Sequence, residues 1–60
     1  MEKNNLLDGK KILVVDDEPD VLDTLEELLV KCEVIKAFNF EAARDLIEQE
    51  SFDLVILCLL

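Results

Sequence analysis

Residues 11–18 have the sequence KILVVDDE, and this stretch decides the fold. Its apolar residues, three of the four β-branched, predict a short β-strand over Ile12–Val15. The acidic residues 16–18 follow at once, and then Pro19, which suits the first turn of a helix because its missing N–H needs no partner there. Acidic residues at a helix start also interact favourably with the positive end of the helix dipole. The stretch therefore predicts a strand that passes directly into a helix.

Two helices are predicted from the spacing of apolar residues and from one capping residue. In the first helix, apolar side chains at i, i+1, i+4, i+7 and i+8 predict a single buried stripe. This stripe comprises Val21, Leu22, Leu25, Leu28 and Leu29. Asn39 is the predicted N-cap of a second helix that continues to about Glu50. The side chains expected to face inward from the second helix are Phe40, Ala43, Leu46 and Ile47.

Two further strands complete the chain. Val34 and Ile35 predict a short second strand, and Leu54–Leu60 is an unbroken apolar run that predicts a third. A strand without polar alternation is typical of a parallel sheet that is buried on both faces. Because β-α-β crossovers are right-handed, the predicted fold is α/β, with a three-stranded parallel sheet of order 2-1-3 and one helix on each face. Residues 1–10 are expected to form an N-terminal tail, and residues 11–60 the single domain.

Length and charge limit the classes of function. A net charge of −9 disfavours binding to nucleic acid or to an anionic membrane surface. The longest apolar run is too short to span a bilayer, and the two cysteines match no zinc motif and fit a reducing compartment. We therefore expect a cytoplasmic protein. A fold of 60 residues is also marginally stable alone, which favours association with another chain.

The candidate site lies where the strands end. Ligands in open parallel sheets bind beyond the carboxyl ends of the strands, where the winding direction reverses. Asp16 and Asp17 end the first strand and Cys58 lies near the end of the third, so the three are expected to converge. Two carboxylates there suit a hard cation such as Mg²⁺. The alternative is that the acidic run is a cap on the helix start.

These motifs resemble the receiver domains of response regulators. The strings ILVVDDEP at 12–19 and DLVIL at 53–57 carry the resemblance, which covers about residues 10–60. It implies a flavodoxin-like fold in which Asp16 and Asp17 form an acidic Mg²⁺ pocket and the Leu60 carbonyl completes the protein's share of the metal shell. Cys58 then occupies the position of the phosphoacceptor aspartate.

The resemblance implies a departure from the family as well as membership in it. A cysteine in place of the acceptor aspartate, and the absence of the later strands that supply a Ser or Thr and a Lys, predict a truncated receiver that cannot be phosphorylated. We expect such a protein to act by contact within a two-component phosphorelay rather than as an enzyme. Its expected partners are a second copy, a histidine kinase or another receiver. No cofactor is expected beyond weakly bound Mg²⁺, held by Asp16, Asp17 and the α-carboxylate of Leu60.

The third strand is the predicted contact surface, since an uncharged edge without proline is a template for another strand. Pairing with a second copy predicts a symmetric homodimer with strand order 2-1-3-3′-1′-2′. The predicted interface residues are Leu54, Val55, Ile56, Leu57, Leu59 and Leu60. Two other interpretations stay open at this point. The chain is a relic with no activity of its own, or Cys58 is a redox or nucleophilic thiol rather than a buried apolar residue.

Overall fold

The computed structural model describes residues 8–58 and has the predicted element order. Its strands and helices alternate, and all strands are parallel. The elements are β1 (Lys11–Val15), α1 (Pro19–Leu28), β2 (Glu33–Ala37), α2 (Phe40–Gln49) and β3 (Leu54–Leu57). The sheet order is β2-β1-β3. The predicted α/β fold with a three-stranded parallel sheet of order 2-1-3 is therefore confirmed.

The helix starts follow from the residues that precede them. The Oδ1 atom of Asn39 accepts a hydrogen bond from the Ala42 N–H at 2.8 Å, which confirms the predicted N-cap of α2. Helix α1 begins at Pro19 and its N-cap residue, Glu18, makes no side-chain cap. Asp16 takes part of that role, because its Oδ1 accepts from the Glu18 N–H at 2.8 Å. The turn from β1 into α1 is thus fixed by the first acidic residue of the run.

The central strand β1 supplies most of the core and divides it into two layers. On one side of the sheet, the buried residues lie between the strands and α2; they are Leu13, Val15 and Ala37 on the strands and Ala43 on α2. On the other side they lie between the strands and α1; they are Ile12 and Val14 on β1 and Leu22 on α1. Strand side chains alternate between faces, so one four-residue apolar run can serve both layers. Each layer is small, and its stability depends on few side chains.

Two lysines tie the layers together at the surface. The Nζ atom of Lys36, on β2, lies 2.9 Å from Glu26 Oε1 and 3.3 Å from Asp23 Oδ1, both on α1. The hydrogen bond to Glu26, and then that to Asp23, raises the pKa of Lys36 above its ordinary value. Lys11 pairs with Glu50, and its N–H donates to Asp53 Oδ2 at 2.8 Å. The hydrogen bond to Glu50 likewise raises the pKa of Lys11.

The prediction that the third strand is buried on both faces is wrong for its described part. Leu54, Val55 and Leu57 are 45%, 40% and 58% exposed. The reason is positional: β3 pairs with β1 on one edge, and neither helix covers it fully. The predicted continuation to Leu59 and Leu60 lies outside the described residues. Strand β2 is longer than predicted, because it spans Glu33–Ala37 rather than Val34 and Ile35 alone.

Three helix residues predicted to face inward are exposed instead. Leu28 is 72% exposed, because it lies about 120° around the helix from Leu22, the residue that points into the core. Phe40 and Ile47 are 61% and 49% exposed. They lie to one side of the line along which α2 contacts the sheet, which passes through Ala43. Within residues 8–58, no helix is long and apolar enough to cross a membrane.

Candidate functional site

The structure brings Asp16, Asp17 and Cys58 to one place, as the strand ends predict. Cys58 directly follows β3, and its N–H donates to the Val15 carbonyl, the last residue of β1, at 2.9 Å. The three side chains line a cleft of about 270 Å³ at the carboxyl edge of the sheet. We call this the acidic cleft. Within residues 8–58, its lining is Asp16, Asp17, Glu18, Val21 and Cys58.

Asp16 is the anchored member of the cleft. Its side chain is buried, with the residue 4% exposed, whereas Asp17 and Glu18 are exposed. Its backbone N–H donates to the Ala37 carbonyl at 3.1 Å, which holds the end of β1 against β2. One carboxylate oxygen is committed to the Glu18 N–H. Asp16 therefore shapes the helix start, as the cap interpretation predicts, and it also lines the cleft, where cation binding stays a prediction.

The cleft fits a hydrated hard cation better than a fully protein-bound one. Within residues 8–58, no group of three or more His, Cys, Asp or Glu side chains is arranged to hold a metal ion. Leu60, the third predicted ligand, lies outside the described residues. Mg²⁺ usually retains several waters and binds through one or two carboxylates. Asp16 and Asp17 can supply that hydrated mode of binding, but not a site made entirely of protein ligands.

Cys58 does not have the surroundings of an activated thiol. It is half-buried, and the part of the cleft formed by residues 8–58 contains no cationic side chain. Nucleophilic cysteines lie beside lysine, arginine, histidine or a metal, which stabilise the thiolate. A thiol is also a soft ligand that Mg²⁺ disfavours. The cleft thus combines the carboxylates of Asp16 and Asp17 with a thiol, Cys58, that no cationic side chain of residues 8–58 activates.

Two residues of the acidic cleft and one entire surface are not among the features predicted from the sequence. Glu18 and Val21 line the cleft; they follow Asp17 closely, and that proximity was the available signal. The missed surface is a groove of about 330 Å³ between α2 and β3, which we call the α2–β3 groove. Its lining is Phe40, Ala43, Arg44, Ile47, Glu48, Val55 and Leu57. The spacing of Phe40, Ala43 and Ile47 predicts a helix stripe but does not say which neighbour the stripe faces.

Comparison with known proteins finds one distant relationship. Over 49 residues, the chain is 43% identical to the response regulator protein PilR of Pseudomonas aeruginosa. That alignment covers 78% of this chain and 11% of PilR, so the chain spans a small part of its relative. No protein-family model matches the chain, and no solved structure matches it.

The partial similarity and the fold support the same assignment. PilR, to which the chain is similar, is a response regulator. The strand order β2-β1-β3 is that of a flavodoxin-like sheet. The chain is therefore receiver-like over the matched segment.

Proposed function

We propose that this chain is a receiver-like protein of a two-component phosphorelay that does not accept a phosphoryl group and acts by protein–protein contact. The observation that carries the proposal is the placement of Cys58. It follows β3 directly and shares the acidic cleft with Asp16 and Asp17. By the resemblance to receiver domains, Asp16 and Asp17 correspond to the metal-binding carboxylates, and Cys58 corresponds to the phosphoacceptor.

The chemistry explains why this substitution matters. Transfer of a phosphoryl group relies on positioning and on charge stabilisation by a metal ion that contacts the reacting oxygens. A carboxylate at position 58 would be both the nucleophile and a hard ligand for Mg²⁺. The Cys58 thiol is neither, because hard cations prefer oxygen. Removal of that oxygen takes away the acceptor and one metal contact together.

A direct test is phosphotransfer with a matched variant. The wild-type chain and Cys58→Asp are incubated with Mg²⁺ and radiolabelled acetyl phosphate, and separately with an autophosphorylated histidine kinase. We expect no label on the wild-type chain. Stable label that maps to Cys58 would overturn the proposal, because it would show that the thiol is an acceptor.

Calorimetry with Mg²⁺ tests the cleft independently of phosphotransfer. Asp16 and Asp17 alone should bind Mg²⁺ at millimolar levels, and Asp17→Asn should abolish the signal. Cys58→Asp should tighten binding at least about tenfold, or about 1.4 kcal/mol, because it adds a third carboxylate to the cleft. Equal heats for all three proteins would show that residues 16, 17 and 58 do not form one cation site.

Contact within the phosphorelay is tested by competition. An excess of this chain is added to a reaction in which a histidine kinase phosphorylates a complete receiver. Slower transfer, with unchanged kinase autophosphorylation, supports binding to the kinase or to the receiver. If transfer is unaffected and the chain does not self-associate, the relic interpretation replaces the proposed contact function.

A further inference from the structure

The outer edge of β3 has backbone groups that point away from the sheet. The sheet order β2-β1-β3 leaves this edge without a neighbour among residues 8–58. Because the Cys58 N–H points toward β1, where it bonds to Val15, and successive residues point to opposite sides, the backbone groups of Val55 and Leu57 point outward. Two N–H and two C=O groups, separated by one residue, thus face the open edge.

We propose that a second copy of this chain pairs with β3 in antiparallel register, about a two-fold axis that passes beside Ile56. This proposal rests on the contact function above and names its partner. In that register, Val55 faces the partner's Leu57 as a hydrogen-bonded pair, and the same pair recurs across the axis. All four outward-facing groups of each copy are then satisfied, which no other two-fold register achieves with residues 54–58 alone.

The side chains on both faces of this register are compatible. Val55 and Leu57 are on the α2 side of the sheet, where they form the floor of the α2–β3 groove. On the α1 side, Ile56 faces its own copy and Leu54 faces the partner's Cys58. Every cross-strand pair is apolar or a thiol, and the strand residues that are 40–58% exposed in one copy become partly covered by their cross-strand neighbours.

Charge complementarity favours the same two-fold arrangement. Arg44 and Glu48 line the groove one helical turn apart, and neither has an ion-pair partner within residues 8–58. Since α2 runs opposite to the strands, Arg44 lies nearer the carboxyl edge of the sheet than Glu48. The two-fold axis exchanges the two ends of the sheet. It therefore places Arg44 and the partner's Glu48 at the same end of the joined sheet, on opposite sides of the two joined grooves, and likewise Glu48 and the partner's Arg44.

The net charge of the chain makes binding of a second copy distinguishable from binding of a basic partner by its salt dependence. No charged residue lies between Leu54 and Cys58, but each copy has a net charge of −9. Two copies repel at long range, and salt screens that repulsion. The dissociation constant of the homodimer should thus fall as salt rises from low to physiological concentration. A basic partner on the same edge would show the opposite dependence.

Disulfide trapping tests the register. In a Cys32→Ala background, Leu54→Cys places a thiol opposite the partner's Cys58, with Cα atoms about 4.5 Å apart, which a disulfide can span. The background protein has one thiol per copy, and the two Cys58 residues lie about 13 Å apart along the strands, beyond disulfide reach. The control is Val55→Cys, which places its thiol on the other face of the sheet.

The expected result is a covalent dimer, reversed by reductant, for Leu54→Cys under mild oxidation but not for the background protein or for Val55→Cys. Efficient cross-linking of the background protein through Cys58 would overturn the register, and monomers for all three would overturn the pairing. These outcomes do not depend on phosphotransfer, so failure here is distinguishable from failure of the proposed function.

Charge reversal provides a second measurement that leaves the strand unchanged. Arg44→Glu should raise the dimer dissociation constant severalfold, because two attractions across the joined grooves become repulsions. The double variant with Arg44→Glu and Glu48→Arg should restore it, since opposite charges then stand across the grooves again with exchanged signs. Equal dimer dissociation constants for wild type, Arg44→Glu and the double variant would contradict the proposed arrangement of the two α2 helices about the axis. This result does not depend on whether the cysteine variant folds.

Discussion

Leu22 and Leu28 provide the sharpest test of the fold, because they look alike in sequence and differ in position. Both belong to the apolar stripe predicted for α1. In the structure Leu22 is fully buried on the inner face of α1, whereas Leu28 is 72% exposed. Replacement of each by alanine removes the same atoms from the same helix. Leucine and alanine both have good helix propensity, so this property changes little. The difference between the two variants therefore reports burial alone.

The expected magnitudes differ severalfold. A buried Leu→Ala change costs about 2–5 kcal/mol, which includes the cavity that remains. A substitution at an exposed position usually changes stability by less than about 0.5 kcal/mol. At about 0.05–0.15 kcal/mol per residue, a 60-residue protein has a total unfolding free energy of roughly 3–9 kcal/mol. Leu22→Ala should thus remove much of the stability, and Leu28→Ala very little.

Urea unfolding followed by circular dichroism measures this difference. All proteins are compared at one protomer concentration, because self-association would add to the apparent stability. Similar urea midpoints for the two variants would refute the placement of α1, since they would mean that Leu22 and Leu28 are equally buried.

Three further predictions concern the cap, the edge and pH. Asn39→Ala should lower the unfolding free energy by about 1 kcal/mol, and Asn39→Asp should retain it, because aspartate also caps α2; thermal unfolding measures both, and no loss in the alanine variant would contradict the cap. Val55→Lys with Leu57→Lys should leave a folded monomer, because both side chains are about half exposed. Loss of about 1 kcal/mol at each of the four sites in the dimer would raise its dissociation constant about a thousandfold, and an unchanged dimer by light scattering would refute this. Because the pKa of Lys36 is raised, its ion pairs stabilise the fold fully below the ordinary pKa of 10.5, and this contribution is lost as pH rises from there through the raised pKa of the folded state. The difference in urea midpoint between wild type and Lys36→Gln should therefore be smaller at pH 11 than at pH 8, and an equal difference at both would contradict the pairing.

The sequence was sufficient for the element order because local signals agree with one another. The apolar run from Ile12 to Val15 is followed by acidic residues and a proline, and this order predicts a strand followed by a helix. Asn39 defines the second helix start by a side-chain hydrogen bond to Ala42, an interaction that depends on nearby residues alone. The convergence of Asp16 and Cys58 follows from topology, since parallel strands end at one edge.

Burial at the open side of the sheet could not be predicted in the same way. An apolar strand such as Leu54–Leu57 has the same sequence pattern whether or not a neighbour covers it. Its exposure depends on which elements stand beside it, and β1 is its one neighbour among residues 8–58. The same applies to Phe40 and Ile47, which have the spacing of a core stripe but face the α2–β3 groove. The double role of Asp16 depends on backbone geometry at Glu18, which spacing does not reveal.

The proposed contact through β3 is tested most directly by sedimentation velocity over a dilution series. Reduced protein is measured at protein concentrations up to about 1 mM, at low and at physiological salt. A dissociation constant of about 1 mM corresponds to a binding free energy of about 4 kcal/mol. We predict a reversible equilibrium between a 6.9 kDa monomer and a dimer of twice that mass, with more dimer at the higher salt. A single 6.9 kDa species at every concentration and both salts would contradict it.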